Sequence, residues 1–520
     1  MQPENREGGI EERFSAVKGG GVLVDSSCRD LKPIFEPRSV AVIGASNNPT
    51  KWGCIILANI VSYGFNGKIY PVNPGEEKVL NIKAYPNIKD IKDEVDLAVI
   101  ARPAETVPQH VEECVEAGVK AAIAIAGGFR ETGVRGEELE REVVRIARRG
   151  GLLLVGPNTM GVYSASVNLC ALMPPVSPRK GEVALISQSG NIGTNLLGFG
   201  SSVGVGFNKF VSSGNEADIE CHEYLEYFGL DPNVKVILLY VEGIKSGRKF
   251  MRVAEEVSEK KPIVVYKAGR TRAGFRAARS HSGALFSPNE VVKAVFKQTG
   301  VVQASTVNEM LDLAKSFVNL PLPKGNRVGI MTWGGGYGVV ASDAFEEAGL
   351  EVTSLSDETI EKLNSILPPY WSKGNPVDLV GVFDRSIQPS CLDIIAGDVN
   401  VDIVVALGFI VGSGAFAGAF GGLYRREGGD VVREWISKTD EKSMEYMVEL
   451  IKKYGKPVVA VTATTDMEVV AKASEKGAVV YPTIETAAST LSKIVEYVKY
   501  RKKRESLKAG NNQGVKVGGL

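Results

Sequence analysis

Histidine is scarce and cysteine is scattered in this sequence: its 520 residues include three of the former and six of the latter. The cysteines stand at 28, 54, 114, 170, 221 and 391, never closer than 26 residues, so no C-x-x-C clip exists for zinc or thiol redox chemistry. No metal site is expected. No G-x-x-x-x-G-K-[S/T] motif occurs, which excludes a P-loop for ATP. Net charge is also missing: 61 Lys and Arg balance 61 Asp and Glu, leaving no general attraction for nucleic acid or an anionic membrane. The first residues, Met1-Gln2-Pro3-Glu4-Asn5-Arg6-Glu7, lack the apolar run of a signal peptide. These features predict a reducing, cytoplasmic setting.

One long uncharged run is present. Ile403 to Tyr424 covers 22 residues, enough to span a bilayer, and spaces Gly414, Gly418 and Gly422 like a helix-dimer face. Its first residues, Ile403–Leu407, read instead as a short buried strand, and the remainder as glycine-heavy loop. The chain is therefore read without a membrane span.

The hydrophobic fraction of 44% is that of an ordinary globular protein. Residues 1–30, glycine-rich and charged, read as a flexible extension, and 501–520 as a loose basic tail. Between them, short Val/Ile/Leu runs alternate with amphipathic helix-length segments. Among these runs are Val40–Ile43, Leu97–Ile100, Ala121–Ala126, Leu152–Val155, Val183–Ile186, Val236–Tyr240, Ile263–Tyr266, Val328–Met331 and Val458–Val461. Continuous apolar strands suit parallel sheets covered on both faces, so the pattern predicts doubly wound α/β domains.

Three of these strands run straight into a small-residue turn: Ile43-Gly44-Ala45-Ser46, Ile186-Ser187-Gln188-Ser189-Gly190 and Thr332-Trp333-Gly334-Gly335-Gly336. The strands begin at 40, 183 and 328, at intervals of 143 and 145 residues. Pro174-Pro175 and Pro321-Leu322-Pro323 lie just upstream of the second and third. Three tandem domains follow: 31–173, 174–322 and 323–500. Each turn exposes helix N–H groups that favour an anion, although glycine there can equally serve close packing. The first turn lacks the full G-x-G-x-x-G fingerprint, because Asn47-Asn48-Pro49 follows. A cofactor with phosphates but no nicotinamide fits better.

His110 and His222 lie in helix-like runs. His281 differs, following Lys267, Arg270, Arg272, Arg276 and Arg279 within Ser280-His281-Ser282-Gly283-Ala284. Neighbouring positive charge disfavours imidazolium, and a neutral ring nitrogen can act as a nucleophile. An ordinary loop histidine is the other reading.

Together with Lys51-Trp52-Gly53, Gly127-Gly128-Phe129, Gly156-Pro157-Asn158, Ser213-Gly214-Asn215, Glu242-Gly243-Ile244 and Lys267-Ala268-Gly269-Arg270, these motifs follow a familiar order. From about Leu31 to Tyr500 the chain resembles the α subunit of ADP-forming acetyl-CoA (acyl-CoA) synthetase, in the succinyl-CoA synthetase superfamily. The resemblance implies a Rossmann-like CoA-binding domain followed by two flavodoxin-like ligase domains. It implies His281 as phosphoryl carrier and Glu242 as the carboxylate that orients it. CoA would meet Gly44, Ala45, Ser46, Lys51, Asn73, Pro74, Lys78 and Pro103. Phosphate and the acyl group would meet Asn158, Ser187, Gln188, Ser189, Gly190, Gly335 and Gly336. An ATP-grasp β subunit, expected as the partner in an α2β2 assembly, would bind Mg-ADP or Mg-ATP. The substrates would be CoA, phosphate and a small carboxylic acid whose identity stays open, as does ADP against GDP. Trp333 and Arg425-Arg426 depart from the family pattern. The other readings are a non-catalytic CoA-binding or regulatory protein of the same fold, and a protein acyltransferase, for whose extra domain no segment is seen.

Overall fold

The computed structural model describes residues 29–276, 289–381, 386–412, 429–462 and 467–514. Three mainly parallel sheets succeed one another along the chain. The first runs, edge to edge, Lys68–Val72, Ser39–Ile43, Leu97–Ile100, Ala121–Ala124 and Leu153–Val155. Counted by order in the chain this is 2-1-3-4-5, the flavodoxin-like order. The second sheet repeats it with Phe207–Ser212, Lys180–Ser187, Val236–Val241, Ile263–Lys267 and Val302–Gln303. The third repeats it with Glu351–Val352, Arg327–Thr332, Ile403–Leu407, Val458–Val461 and Val479–Tyr481.

The strands form where the apolar runs predict them, because helices cover both faces and leave no solvent side. Every residue of Ser39–Ile43, Val236–Val241 and Ile403–Leu407 is buried. Ile403–Leu407 pairs with Arg327–Thr332 on one side and Val458–Val461 on the other, at the centre of its sheet. Among the described residues no helix is long and apolar enough to cross a membrane. Gly414, Gly418 and Gly422, like Arg425-Arg426, lie outside the described residues.

Two segments sit differently from their sequence reading. Gly161–Ser164 and Leu169–Leu172 form an antiparallel hairpin on the edge of the second sheet, through pairing with Phe207–Ser212. Strand pairing therefore changes sheets between Val155 and Gly161, and Pro174-Pro175 marks the end of that hairpin. The final helix, Ile484–Gly514, does not stop at 500. Arg504 reaches Glu255 at 2.6 Å and Glu259 at 3.0 Å, and Lys508 also meets Glu259, so the basic cluster is helical and docked on the second domain.

Helix Val307–Asn319 lies between the second and third sheets and shares one apolar core with both. Ser316 Oγ and Tyr481 OH are 2.7 Å apart across that junction, and Lys493 pairs with the mostly buried Glu309 at 2.6 Å. Between the first and second domains, buried Asp218 takes Arg29 and Arg148 at 2.9 Å each. Removing the arginines would leave the buried Asp218 carboxylate without charge partners, so Arg148 from the first domain, and Arg29 just before it, help to hold the first domain to the second.

Candidate functional site

The carboxyl ends of the first sheet gather the expected CoA residues around the Gly44 turn. Gly44 has φ +89°, and a Cβ there would stand 2.6 Å from Ala101 O, so only glycine fits. A Cβ on Gly53 would meet Gly44 O at 1.9 Å, which shows how closely helix Trp52–Ser62 abuts the turn. Asn73 Nδ2 donates to Ala45 O at 2.7 Å, tying the ends of two adjacent strands together. Ser46 Oγ accepts from Asn48 N at 3.1 Å. Asn47 Nδ2 donates to Lys78 O at 2.9 Å and so pins the hairpin of Lys78–Val79 and Ile82–Lys83 over the turn. Lys51, Pro74, Lys78 and Pro103 are exposed around the rim.

Two contributors here are missing from the sequence reading, Asn47 and Arg102. The Arg102 side chain passes over Gly44, with Cδ 2.8 Å from where a Cβ would be. It brings a guanidinium stem to the N–H groups of the turn, a combination suited to a pyrophosphate. Neither residue belongs to the quoted motifs; their role comes from strand adjacency.

Asn158 lies at the first–second domain junction, with φ +60° and Nδ2 3.3 Å from Asn215 Oδ1. Asn215 Nδ2 donates to Glu131 at 2.7 Å and to Glu140 at 2.8 Å. Burial pushes the Glu131 carboxyl up, but Asn215 and the N–H groups of Gly128 and Phe129 hold it below its ordinary value. Asn158 is thus part of an inter-domain polar cluster.

In the second domain the strand Lys180–Ser187 ends in the Ser187–Gly190 turn, and Ser189 Oγ caps helix Gly190–Ser202 through Ile192 N at 3.5 Å. The helix N-terminus leaves N–H groups directed at the carboxyl edge. Gln188 turns its side chain elsewhere. Its Oε1 accepts from Glu242 N at 2.6 Å and Gly243 N at 3.1 Å, while its Nε2 donates to Gly243 O at 2.7 Å. Glu242 is half-buried, just beyond strand Val236–Val241. Lys267 ends the adjacent strand, 3% exposed, and donates to Glu242 O at 2.7 Å and Ala268 O at 2.6 Å. Burial pushes its ammonium down to about 8, partly offset by Glu242. A turn that presents helix N–H groups, a glutamate and a buried lysine therefore share one edge of one sheet.

His281 lies outside the described residues, which end before it at 276 and resume at 289. The other two histidines are engaged locally: His110 Nδ1 is 2.9 Å from Glu113, and His222 Nδ1 is 3.4 Å from Glu220. The His222 hydrogen bond, with those of its surroundings, holds Glu220 down to about 2. In the third domain Gly334 precedes helix Gly335–Glu347, and Gly335 and Gly336 line a cavity of about 560 Å³ with Tyr337, Val340 and Val461. Among the described residues no cluster of His, Cys, Asp and Glu could hold a metal ion.

Three sequence families match in succession: a CoA binding domain over residues 38–165, a succinyl-CoA ligase like flavodoxin domain over 180–317, and a ligase-CoA domain over 328–416. The α subunit of ADP-forming acetate–CoA ligase II from Pyrococcus furiosus is 44% identical over 377 residues, 72% of this chain and 82% of that relative. The chain belongs to the ADP-forming acyl-CoA ligase family. ADP-forming acetate–CoA ligase II from Archaeoglobus fulgidus is 36% identical over 512 residues, 95% of this chain and 71% of the relative. Among solved structures, acetyl-coenzyme A synthetase 1 of Ca. Korarchaeum cryptofilum, in complex with phosphate and ADP, superposes with TM-score 0.80 at 35% identity. That match covers 91% of this acyl-CoA ligase chain and 98% of the other.

Proposed function

We propose that this ligase chain interconverts acyl-CoA, phosphate and ADP with acid, CoA and ATP through an acyl-phosphate and a phosphohistidine at His281. A phosphate oxygen attacks the thioester carbonyl, and CoA leaves as thiolate, taking a proton. A ring nitrogen of His281 attacks phosphorus and the carboxylate departs. The terminal phosphate oxygen of ADP then takes the phosphoryl group and frees the ring. Glu242 accepts from one ring N–H, which leaves the other nitrogen as nucleophile. The Ser187–Gly190 and Gly334–Gly336 turns offer N–H groups to the phosphoryl oxygens. CoA lies against Gly44, Ala45 and Ser46, with Lys51, Lys78 and Arg102 reaching its phosphates.

The observation that carries this reading is the placement of Glu242 beside the Ser187–Gly190 turn, held from both sides by Gln188 and Lys267. An ATP-grasp β subunit binds Mg-ADP, in keeping with the Pyrococcus relative being named an α subunit and with the Archaeoglobus relative extending beyond the matched region. The assembly is α2β2 and cytoplasmic, a setting supported by the buried free thiols of Cys54, Cys114, Cys170, Cys221 and Cys391. The test is reconstitution with an ATP-grasp chain and a panel of acids, following CoA-ester formation. ATP synthesis from acetyl-CoA, phosphate and ADP by the pure chain alone would overturn the division between subunits.

A further inference from the structure

The third domain holds a cleft whose size and lining the steps above leave unexplained. It measures about 560 Å³ and lies between the first turns of helices Gly335–Glu347 and Ile484–Gly514, beside the end of strand Val458–Val461. Tyr337, Val340, Val461, Pro482 and Ile484 give it mainly apolar walls. Tyr337 and Val340 stand one helical turn apart and are 58% and 52% exposed, an apolar pair left facing water. A Cβ on Gly334 or Gly336 would meet nothing within 4 Å, and neither residue has a positive φ. Neither packing nor backbone strain therefore requires glycine at these two positions; a side chain at either would occupy open space at the cleft. Among the described residues the one charged side chain on the walls is the exposed Glu485, and no lysine, arginine or histidine lines them.

The helix that carries Ile484 and Glu485 also ties the cleft to the second domain. One turn further on, Ser489 Oγ donates to Glu309 at 2.5 Å, and Lys493 follows at 2.6 Å. Glu309 accepts in addition from Ser305 N at 2.5 Å, and Arg270 donates to Ser305 O at 2.7 Å. Arg270 stands three residues beyond Lys267, the end of strand Ile263–Lys267. A short series of contacts thus leads from the cleft wall to the edge of the second sheet that bears Glu242 and Lys267.

We propose that this cleft receives the hydrocarbon part of the acid, and that the substrates are monocarboxylic acids with a bulky apolar chain, branched or aryl. The proposal rests on the reading of the Gly334–Gly336 turn as a contact of the group being transferred. Acetate carries a single methyl and would leave most of the cleft to water, whereas clefts of about 300–1,000 Å³ ordinarily take far larger ligands. Each further methylene buried against apolar walls adds to specificity. A dicarboxylic acid would bring its second charge to a wall that offers a carboxylate and no cation, which selects against it.

The experiment measures CoA release by the full chain from a panel of acyl-CoA esters with arsenate in place of phosphate. An arsenate oxygen attacks the thioester carbonyl, and CoA leaves as thiolate, taking a proton. Water then splits the acyl-arsenate into acid and arsenate, so neither His281 nor ADP is needed. Phenylacetyl-CoA gives a kcat/KM about tenfold or more above that of acetyl-CoA. Butyryl-CoA exceeds succinyl-CoA, which has a carboxylate in place of its terminal methyl, by a similar factor. Gly336→Leu, at a position where leucine suits a helix better than glycine, lowers the phenylacetyl-to-acetyl ratio about tenfold by filling the cleft. Val340→Phe, on the exposed wall, lowers the same ratio. Glu485→Gln narrows the butyryl-to-succinyl ratio about twofold, the modest effect of an exposed charge. A parent that uses acetyl-CoA as well as phenylacetyl-CoA, or succinyl-CoA as well as butyryl-CoA, overturns the proposal. So do cleft-filling variants that keep the parent's ratio, which would put the acyl chain elsewhere. Release of CoA from no ester overturns the first step of the proposed reaction together with this proposal, whereas release without preference among the esters overturns this proposal alone.

Discussion

Lys267 Nζ donates to the backbone carbonyl of Glu242 at 2.7 Å, while Gln188 holds the N–H of the same residue at 2.6 Å. The peptide bearing Glu242 is therefore fixed from both neighbouring strands of the second sheet. The two supports differ in chemistry. Gln188 cannot titrate, whereas Lys267 is a buried cation whose proton is held less tightly than in water.

That difference makes stability depend on pH. Lys267 sits at about 8 in the folded protein, against 10.5 for an ordinary lysine. Between those values the unfolded chain binds more protons than the folded one, so this residue makes stability rise with pH across the window. The rise is on the order of 3 kcal/mol, one pKa unit being worth about 1.4 kcal/mol. Lys267→Met removes it. Melting temperatures of parent and variant at about pH 7.5 and about pH 9.5 check this: the parent gains on the variant toward the alkaline end. Parallel changes in the two proteins would count against a depressed Lys267.

Gly44→Ala tests the first turn. The substitution meets both a φ of +89° and a contact of 2.6 Å with Ala101 O. Strain of this kind costs about 1–3 kcal/mol. CoA affinity falls at least tenfold and the melting temperature drops. A variant with parent-like CoA affinity would move the CoA site away from this turn.

Much of this layout is legible in the sequence, and the exceptions have physical causes. Val236–Val241 or Ile403–Leu407 announces itself because a strand covered on both faces must be apolar throughout. The Gly161–Ser164 and Leu169–Leu172 hairpin does not, since no pattern tells an edge strand which of two sheets it will join. The glycine turns and Glu242 are visible as motifs. The supports of Glu242 are not, because Gln188 meets it across 54 residues of chain and through backbone atoms that every residue shares. Arg102 is hidden for a similar reason: only the pairing of Ser39–Ile43 with Leu97–Ile100 brings it over Gly44.

Arg102 and Lys51 carry the charge expected to meet the phosphates of CoA. Arg102→Ala weakens CoA binding about tenfold, about 1.4 kcal/mol, and Lys51→Ala roughly threefold, because a guanidinium can grip a phosphate with two N–H groups where an ammonium acts as a point charge. Both variants keep their melting temperature. Titration at low and high salt checks the cause, since losing a phosphate contact also flattens the salt dependence. Unchanged affinity in both variants would place the phosphates elsewhere.

His281 is expected to be the phosphoryl carrier, and its replacement separates chemistry from structure. Asparagine keeps polarity and comparable size but offers no ring nitrogen to attack phosphorus. His281→Asn therefore abolishes overall turnover and acid-labile, alkali-stable labelling from radioactive phosphate plus acyl-CoA. Formation of acyl-phosphate survives, because phosphate attacks the thioester without a covalent enzyme intermediate. Glu242→Gln folds, since Gln188 and Lys267 grip its backbone and not its carboxylate. It labels at least tenfold more slowly, as a neutral amide no longer stabilises the ring orientation that exposes the attacking nitrogen. His110 and His222 already face Glu113 and Glu220, so their asparagine variants label normally. Label mapped to either of them, or retained in His281→Asn, would remove His281 from the reaction.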